Sequence, residues 1–309
     1  MRSIYHIILL SLAALVLSGC NTGIERTKTI TMTKDDLRSM APTPEEQLMA
    51  SLNIPLLRDW HEGKPFLVTD NRASYIFDSG SGESSSDSLS GKILRFSKTL
   101  DRITPGGEQE TVIEFTDGKS PYYYSTGKRP GDALASISSL DIPLLLDLDV
   151  VASADSLLRM KRVWTKTQLC YDGEENRLTG YKFVPVTITG VTAGDMVFPF
   201  KVKVRTADDR DVYFMMNMKN NGMESRTFPA LFSLTDPKLQ HQNITPEIWK
   251  HIQAGAVKTG MTKEECKLSL GNPSDVDTGH DWNQTVDIWY YSDGRWLRFS
   301  DGLLVAFRM

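Results

Sequence analysis

Short runs of alternating apolar and polar residues, each ended by a glycine or polar turn, fill the middle of this chain. Lys182 to Thr189, Met196 to Arg205 and Asp211 to Met215 are the clearest. A period of two sends successive side chains to opposite faces, so these runs predict strands with one buried and one open side. Extended runs, Pro65 to Phe77 and Arg162 to Tyr171, stand ahead of two such sets. Turn signals about every ten residues suggest a small barrel or sandwich on the scale of an SH3-like domain. Helical spacing is confined to short segments. One is Thr43-Pro44-Glu45-Glu46, a cap followed by proline and acids in the first turn, which opens a helix running to Leu52.

From about Thr245 the pattern changes. Thr245 caps a helix with Pro246 in its first position and Ile248, Trp249 and Ile252 along it. A second helix follows: Thr262 caps the first turn, Glu265 reaches back, and Met261 staples onto Cys266. Gly271 gives it a left-handed stop and Pro273 forbids continuation. Cys266 and Leu270, four apart, should share the face laid on a sheet. Three strands come next, Val286 to Tyr291, Trp296 to Ser300 and Leu303 to Arg308. Their links, Ser292-Asp293-Gly294 and Ser300-Asp301-Gly302, are too short for parallel crossovers, and an Asp-Gly pair takes the positive φ a tight hairpin needs. Ser274 to Gln284 reads as a long acidic, polar loop.

The run Gly260-Met261-Thr262-Lys263-Glu264-Glu265, closed by Leu270-Gly271-Asn272-Pro273, resembles the opening of the SmpA/OmlA (BamE-like) family of small outer-membrane lipoproteins. The resemblance covers about the last fifth of the chain. It implies a small ααβββ domain and partners among envelope proteins, with components of the β-barrel assembly machinery as candidates. Cys266 departs from the aliphatic residue expected there, and the loop from Ser274 to Gln284 is a second departure.

The middle region repeats. Leu52-Asn53-Ile54-Pro55-Leu56-Leu57 returns as Leu140-Asp141-Ile142-Pro143-Leu144-Leu145, an offset of 88 (140 less 52). Leu89-Ser90-Gly91-Lys92 matches Leu178-Thr179-Gly180-Tyr181, and Ile103-Thr104-Pro105-Gly106 matches Val191-Thr192-Ala193-Gly194. Three blocks in near-constant register predict duplicated modules with one strand topology, from about Leu52 to Lys128 and from about Leu140 to Asn220. They differ at one loop, Ser79 to Ser88 in the first copy against Gly173 to Arg177 in the second.

Arg2 precedes an apolar run from Ile7 to Leu17 that is too short to span a bilayer and ends in Leu17-Ser18-Gly19-Cys20. This pattern predicts a lipoprotein signal peptide over 1–19, with lipid on the Cys20 thiol and amine. Several acyl chains on one cysteine make a stable anchor, at roughly 0.8 kcal/mol per buried methylene. Asn21 and Thr22 carry no acidic retention signal, so the periplasmic face of the outer membrane is the expected address, with the cell surface as the alternative. Loss of Arg2 leaves 34 basic residues against 39 acidic ones, so no basic field exists to attract nucleic acid.

No reaction centre emerges, and the chain is read as a non-enzyme without a cofactor. There is no HExxH, no Gly-x-Ser-x-Gly, no phosphate-cradling glycine loop and no Cys-x-x-Cys. Asp275, Asp277, His280 and Asp281 are the nearest thing to a ligand cluster, but their spacing fits neither an EF-hand nor a zinc site, so no metal is expected. Cys170 and Cys266 fall in different domains and are expected as buried free thiols.

Aromatic residues crowd the last domain. With Ile288 and Tyr290 turned to the core, Trp289 and Tyr291 face outward, while Trp296 and Leu297 point opposite ways. Trp289, Tyr291 and Trp296 are therefore the candidate partner-binding residues, with core or interdomain packing as the other use for them. The expected architecture is α+β: two duplicated β-rich modules, each a small barrel or SH3-like, then the ααβββ domain. The boundaries are 1–19 signal, 20–44 tether, 45–130 first module, 131–240 second module and 241–309 last domain. Two functions fit: a lipid-anchored scaffold or interaction protein of the envelope, or a lipoprotein that binds cell-wall glycan or peptide or inhibits an enzyme.

Overall fold

The computed structural model describes residues 41–78, 88–218, 226–281 and 284–309; the signal peptide, Cys20, nearly all of the tether and most of the loop from Ser79 to Ser88 lie outside them. Residues 43–309 form one compact unit. The described residues hold six helices and sixteen strands, an α+β composition.

The first sheet has the order β4-β3-β2-β1-β5, antiparallel throughout, from β1 (Pro65–Val68), β2 (Ile93–Ile103), β3 (Gln109–Thr116), β4 (Pro121–Ser125) and β5 (Leu145–Asp147). The run expected to stay extended to Phe77 turns after Val68. Asp70 accepts the Arg72 N–H at 2.7 Å and starts a short 3-10 helix instead. Phe66, Leu94, Phe96, Ile113 and Phe115 line the inner face under Trp60, whose ring lies 5.0 Å from that of Phe66.

The second sheet runs β12-β6-β9-β10-β11-β7-β8. Its strands are β6 (Arg162–Thr165), β7 (Cys170–Tyr171), β8 (Arg177–Leu178), β9 (Pro185–Ala193), β10 (Phe200–Thr206), β11 (Asp211–Met216) and β12 (Phe232–Ser233). Without the β7-β8 hairpin its order is β11-β10-β9-β6-β12, again all antiparallel. Each sheet thus has four strands meandering outward and a fifth, reached through a short helix, returning beside the first. That helix is α2 (Pro130–Ser136) in one case and α4 (Phe228–Leu231) in the other. Gly91 and Gly180, one in each middle sequence block, both hold φ above +80° in the turn ahead of the long second strand. No pairing among the described residues joins the two edges of either sheet, so open sheets backed by helices stand where small barrels were expected.

The cores cross the boundaries read from the sequence. Residues assigned to the second module, Ala133 of α2 and Ile137, Ile142 and Leu145, fill the first core. Helix α1 (Pro44–Ala50), assigned to the first module, sends Met49 into the second core, and its Glu45 accepts the Leu234 N–H at 2.7 Å. β5 is the shared wall, with Leu145 in the first core and Leu146 in the second. The next residue, Asp147, caps α3 (Leu148–Leu158) by accepting the Asp149 N–H at 2.9 Å. Its other oxygen meets the buried Lys64 ammonium at 2.9 Å, and Lys64 also reaches Asp149 at 3.1 Å.

The last domain is α5 (Pro246–Ala254), α6 (Lys263–Leu270) and a sheet of β13 (Asp275–Asp281), β14 (Gln284–Tyr290), β15 (Trp296–Ser300) and β16 (Leu303–Arg308) in sequential order. Thr262 and Glu265 form the reciprocal cap: the Thr262 N–H donates to Glu265 at 2.7 Å and the Glu265 N–H donates to Thr262 at 3.2 Å. The meander has four strands rather than three, because the expected loop from Ser274 is mostly β13. Gly271 ends α6 at φ 87° and ψ −173°, an extended positive-φ conformation open essentially to glycine alone, not the left-handed helical one. Asp301 and Gly302 both take positive φ in the last hairpin.

This domain docks on the second module through Phe183, whose ring lies 5.7 Å from Trp249 of α5. Beside it the Lys182 ammonium donates to the Ser269 carbonyl at 2.8 Å, and burial pushes that ammonium down to about 8.

Candidate interaction surface

The orientation of β14 is set by Asp287. Lys263, the first residue of α6, pairs with its carboxylate, and the Thr278 hydroxyl of β13 donates to it at 2.7 Å. These hydrogen bonds and the Lys263 charge hold its carboxyl below the usual carboxylate range. With Asp287 held on the helix side, the period of two turns Trp289 and Tyr291 inward as well.

The rings of Trp289 and Phe299 lie 4.6 Å apart, and the Tyr291 hydroxyl donates to the Gly271 carbonyl at 3.2 Å. Loss of solvent pushes that hydroxyl up to about 12. Trp289 is 4% exposed and Tyr291 8%. The outward facing expected for these two is therefore reversed. They belong to the core, and of the three candidate partner-binding residues only Trp296 stands on the open side.

Directly paired residues of antiparallel strands share a face, so the ladder writes out the open side row by row. Asp275, Tyr290, Trp296 and Arg308 form one row across all four strands. Asp277, Ile288, Arg298 and Ala306 form the next, then Gly279, Val286, Ser300 and Leu303. Tyr290 is 41% exposed and Leu303 47%, and Ile288, Val286 and Trp296 are half-buried. Acidic residues occupy the β13 side and arginines the β15 and β16 side, with apolar and aromatic side chains between. The sequence alone did not reveal this surface, because Val286-Asp287-Ile288-Trp289-Tyr290-Tyr291 offers an apolar stripe in either phase. The signal that decides it is the single charged residue, Asp287, within reach of a helix N-terminus.

Elsewhere the chemistry is sparse. Cys20 lies outside the described residues. On β13 the alternation sends Asp275 and Asp277 to the open side and His280 to the other, so these residues do not converge. Among the described residues no group of three or more His, Cys, Asp or Glu could hold a metal. Cys170 and Cys266 are buried free thiols in separate cores, pushed by burial up to about 11 and about 12.

A wide cavity of about 690 Å³ in the first module is lined by Glu108, Glu110, Lys128, Arg129 and Asp132 among others, with no aromatic side chain on which a sugar ring could stack. Glu110 there is committed to Arg102, at 2.6 Å, and to the Ser125 hydroxyl. No helix among the described residues is long and apolar enough to cross a membrane. No family model, curated protein or solved structure matches the chain.

Proposed function

We propose that this chain is an outer-membrane lipoprotein, anchored through Cys20 to the periplasmic face, that serves as a scaffold or protein-interaction module in envelope assembly or maintenance. The first two sheets are copies of one β-module. Their common strand order supports this, as do the sequence blocks, which fall at corresponding points: ahead of the first helical turn, in the glycine turn before the second strand, and at the hairpin after it. The last domain is related to the SmpA/OmlA family, a reading supported by the helix, helix, then strands order and by the Thr262-Glu265 cap, with β13 as an added edge strand. Its partners are envelope proteins, β-barrel assembly components among them.

One observation carries the functional reading: the open side of the last sheet groups the exposed Tyr290 with the half-buried Trp296 and Ile288 between Asp275 and Asp277 on one margin and Arg308 on the other, with exposed Leu303 further along the edge strand. An aromatic centre with a charged rim is the composition of a protein-docking surface. Mass spectrometry of the N-terminal peptide and fractionation of the envelope test the anchor. Cys20 should carry diacylglycerol and an acylated amine, and Cys20→Ala should leave the membrane fraction; an unmodified Cys20 overturns the anchor and the address.

A further inference from the structure

The open side of the last sheet is complementary to itself. Across β13, β14, β15 and β16 one row reads Asp275, Tyr290, Trp296, Arg308: acid, aromatic, aromatic, base. We propose that this face docks on the same face of a second copy of the chain, about a two-fold axis parallel to the strands. The proposal rests on the reading of this face as a docking surface and names its partner.

Such an axis, lying midway between two stacked sheets, reverses the strand order while keeping each row level. β13 then lies over β16 of the second copy, and β14 over its β15. Asp275 meets Arg308, Tyr290 meets Trp296, and both contacts recur on the other side of the axis, as an isologous interface requires. In the next row Ile288 lies over Arg298, whose aliphatic stem can cover it while the guanidinium reaches the rim.

Packed sheets turn by about 30° relative to one another and sit about 10 Å apart. The outer members of the row are one and a half strand spacings from the axis, about 7 Å, so that turn displaces them by roughly 4 Å, within the reach of an arginine side chain. The other two-fold, perpendicular to the strands, would lay β13 on β13 and put Asp275 and Asp277 against their own copies. Like charges set face to face disfavour that arrangement, so the charge pattern selects one geometry.

The test is made on the lipidated full chain in its membrane. Asp275→Cys and Arg308→Cys, carried on two differently tagged copies, should form a mixed disulfide when expressed together and far less product when each is expressed alone. Both positions are exposed, so folding is not at stake, and Cys170 and Cys266 are buried. Arg308→Asp should raise the dissociation constant at least about tenfold, and adding Asp275→Arg should restore it. A photo-crosslinker at Tyr290 separates the failures. A product of twice the chain mass supports the dimer. A product of any other mass overturns the dimer while keeping the docking surface, and no product overturns both. Asp275→Cys linking efficiently to itself would overturn the proposed axis.

Discussion

Replacing Lys64 by methionine tests how the two modules are joined. Lys64 is 2% exposed and Asp147 fully buried, with their charged atoms 2.9 Å apart. Methionine keeps the aliphatic stem beside Phe66 but removes the ammonium, leaving a carboxylate at the joint between β5 and α3 without its countercharge. Breaking a buried pair from one side costs about 3–5 kcal/mol. Here the lower end applies, about 3 kcal/mol, because Asp147 still accepts the Asp149 and Val150 N–H groups at 2.9 and 3.3 Å.

The double variant Lys64→Met/Asp147→Asn keeps the α3 cap through the amide oxygen and buries no charge, so it should recover to within about 1 kcal/mol of the parent. Urea unfolding of the mature chain, read by tryptophan fluorescence, measures both, with Trp60 in the first core as the local reporter. A loss below about 1 kcal/mol for Lys64→Met, or a double variant worse than the single, would refute the buried joint.

In the last domain, Gly271→Val should cost about 1–3 kcal/mol from backbone strain alone, since the space around its Cβ is open; Thr262→Ala should cost about 1 kcal/mol through loss of the cap. Chemical denaturation that finds both neutral would contradict this account of α6. Lys182 sets a pH dependence: its folded value of about 8 lies below the ordinary 10.5, so the unfolded chain binds more protons between these values and stability rises with pH across that window. The full difference is about 3 kcal/mol, and stability of the parent minus that of Lys182→Met should climb from pH 8 to 10.5. A flat difference would show that the ammonium is solvated.

Much of the last domain was legible because its signals are local. Thr262 and Glu265 are three apart, Pro246 follows Thr245, and Asp301-Gly302 turns a hairpin, so no distant residue is needed to read them. β13 was missed for a physical reason: as an edge strand it needs ladder partners but few buried side chains, and Asp275 to Asp281 has no hydrophobic alternation to betray it. The facing of β14 was misread because Ile288 and Tyr290 are as apolar as Trp289 and Tyr291, and the deciding contact, Lys263 to Asp287, joins distant residues. That the cores share residues across the boundary read from the sequence was hidden for the same kind of reason. Leu145 and Leu146 look alike in sequence, yet they point into two different cores.

The open side of the last sheet is the proposed surface at which this protein meets another. Photo-crosslinking in intact cells from Trp296, on that face, and from Thr189, on the β9 strand of the second module, tests it most directly. A discrete, stable protein adduct is expected from Trp296, abolished by Tyr290→Asp, and none from Thr189. Equal labelling from both positions, or an adduct indifferent to Tyr290→Asp, would contradict it.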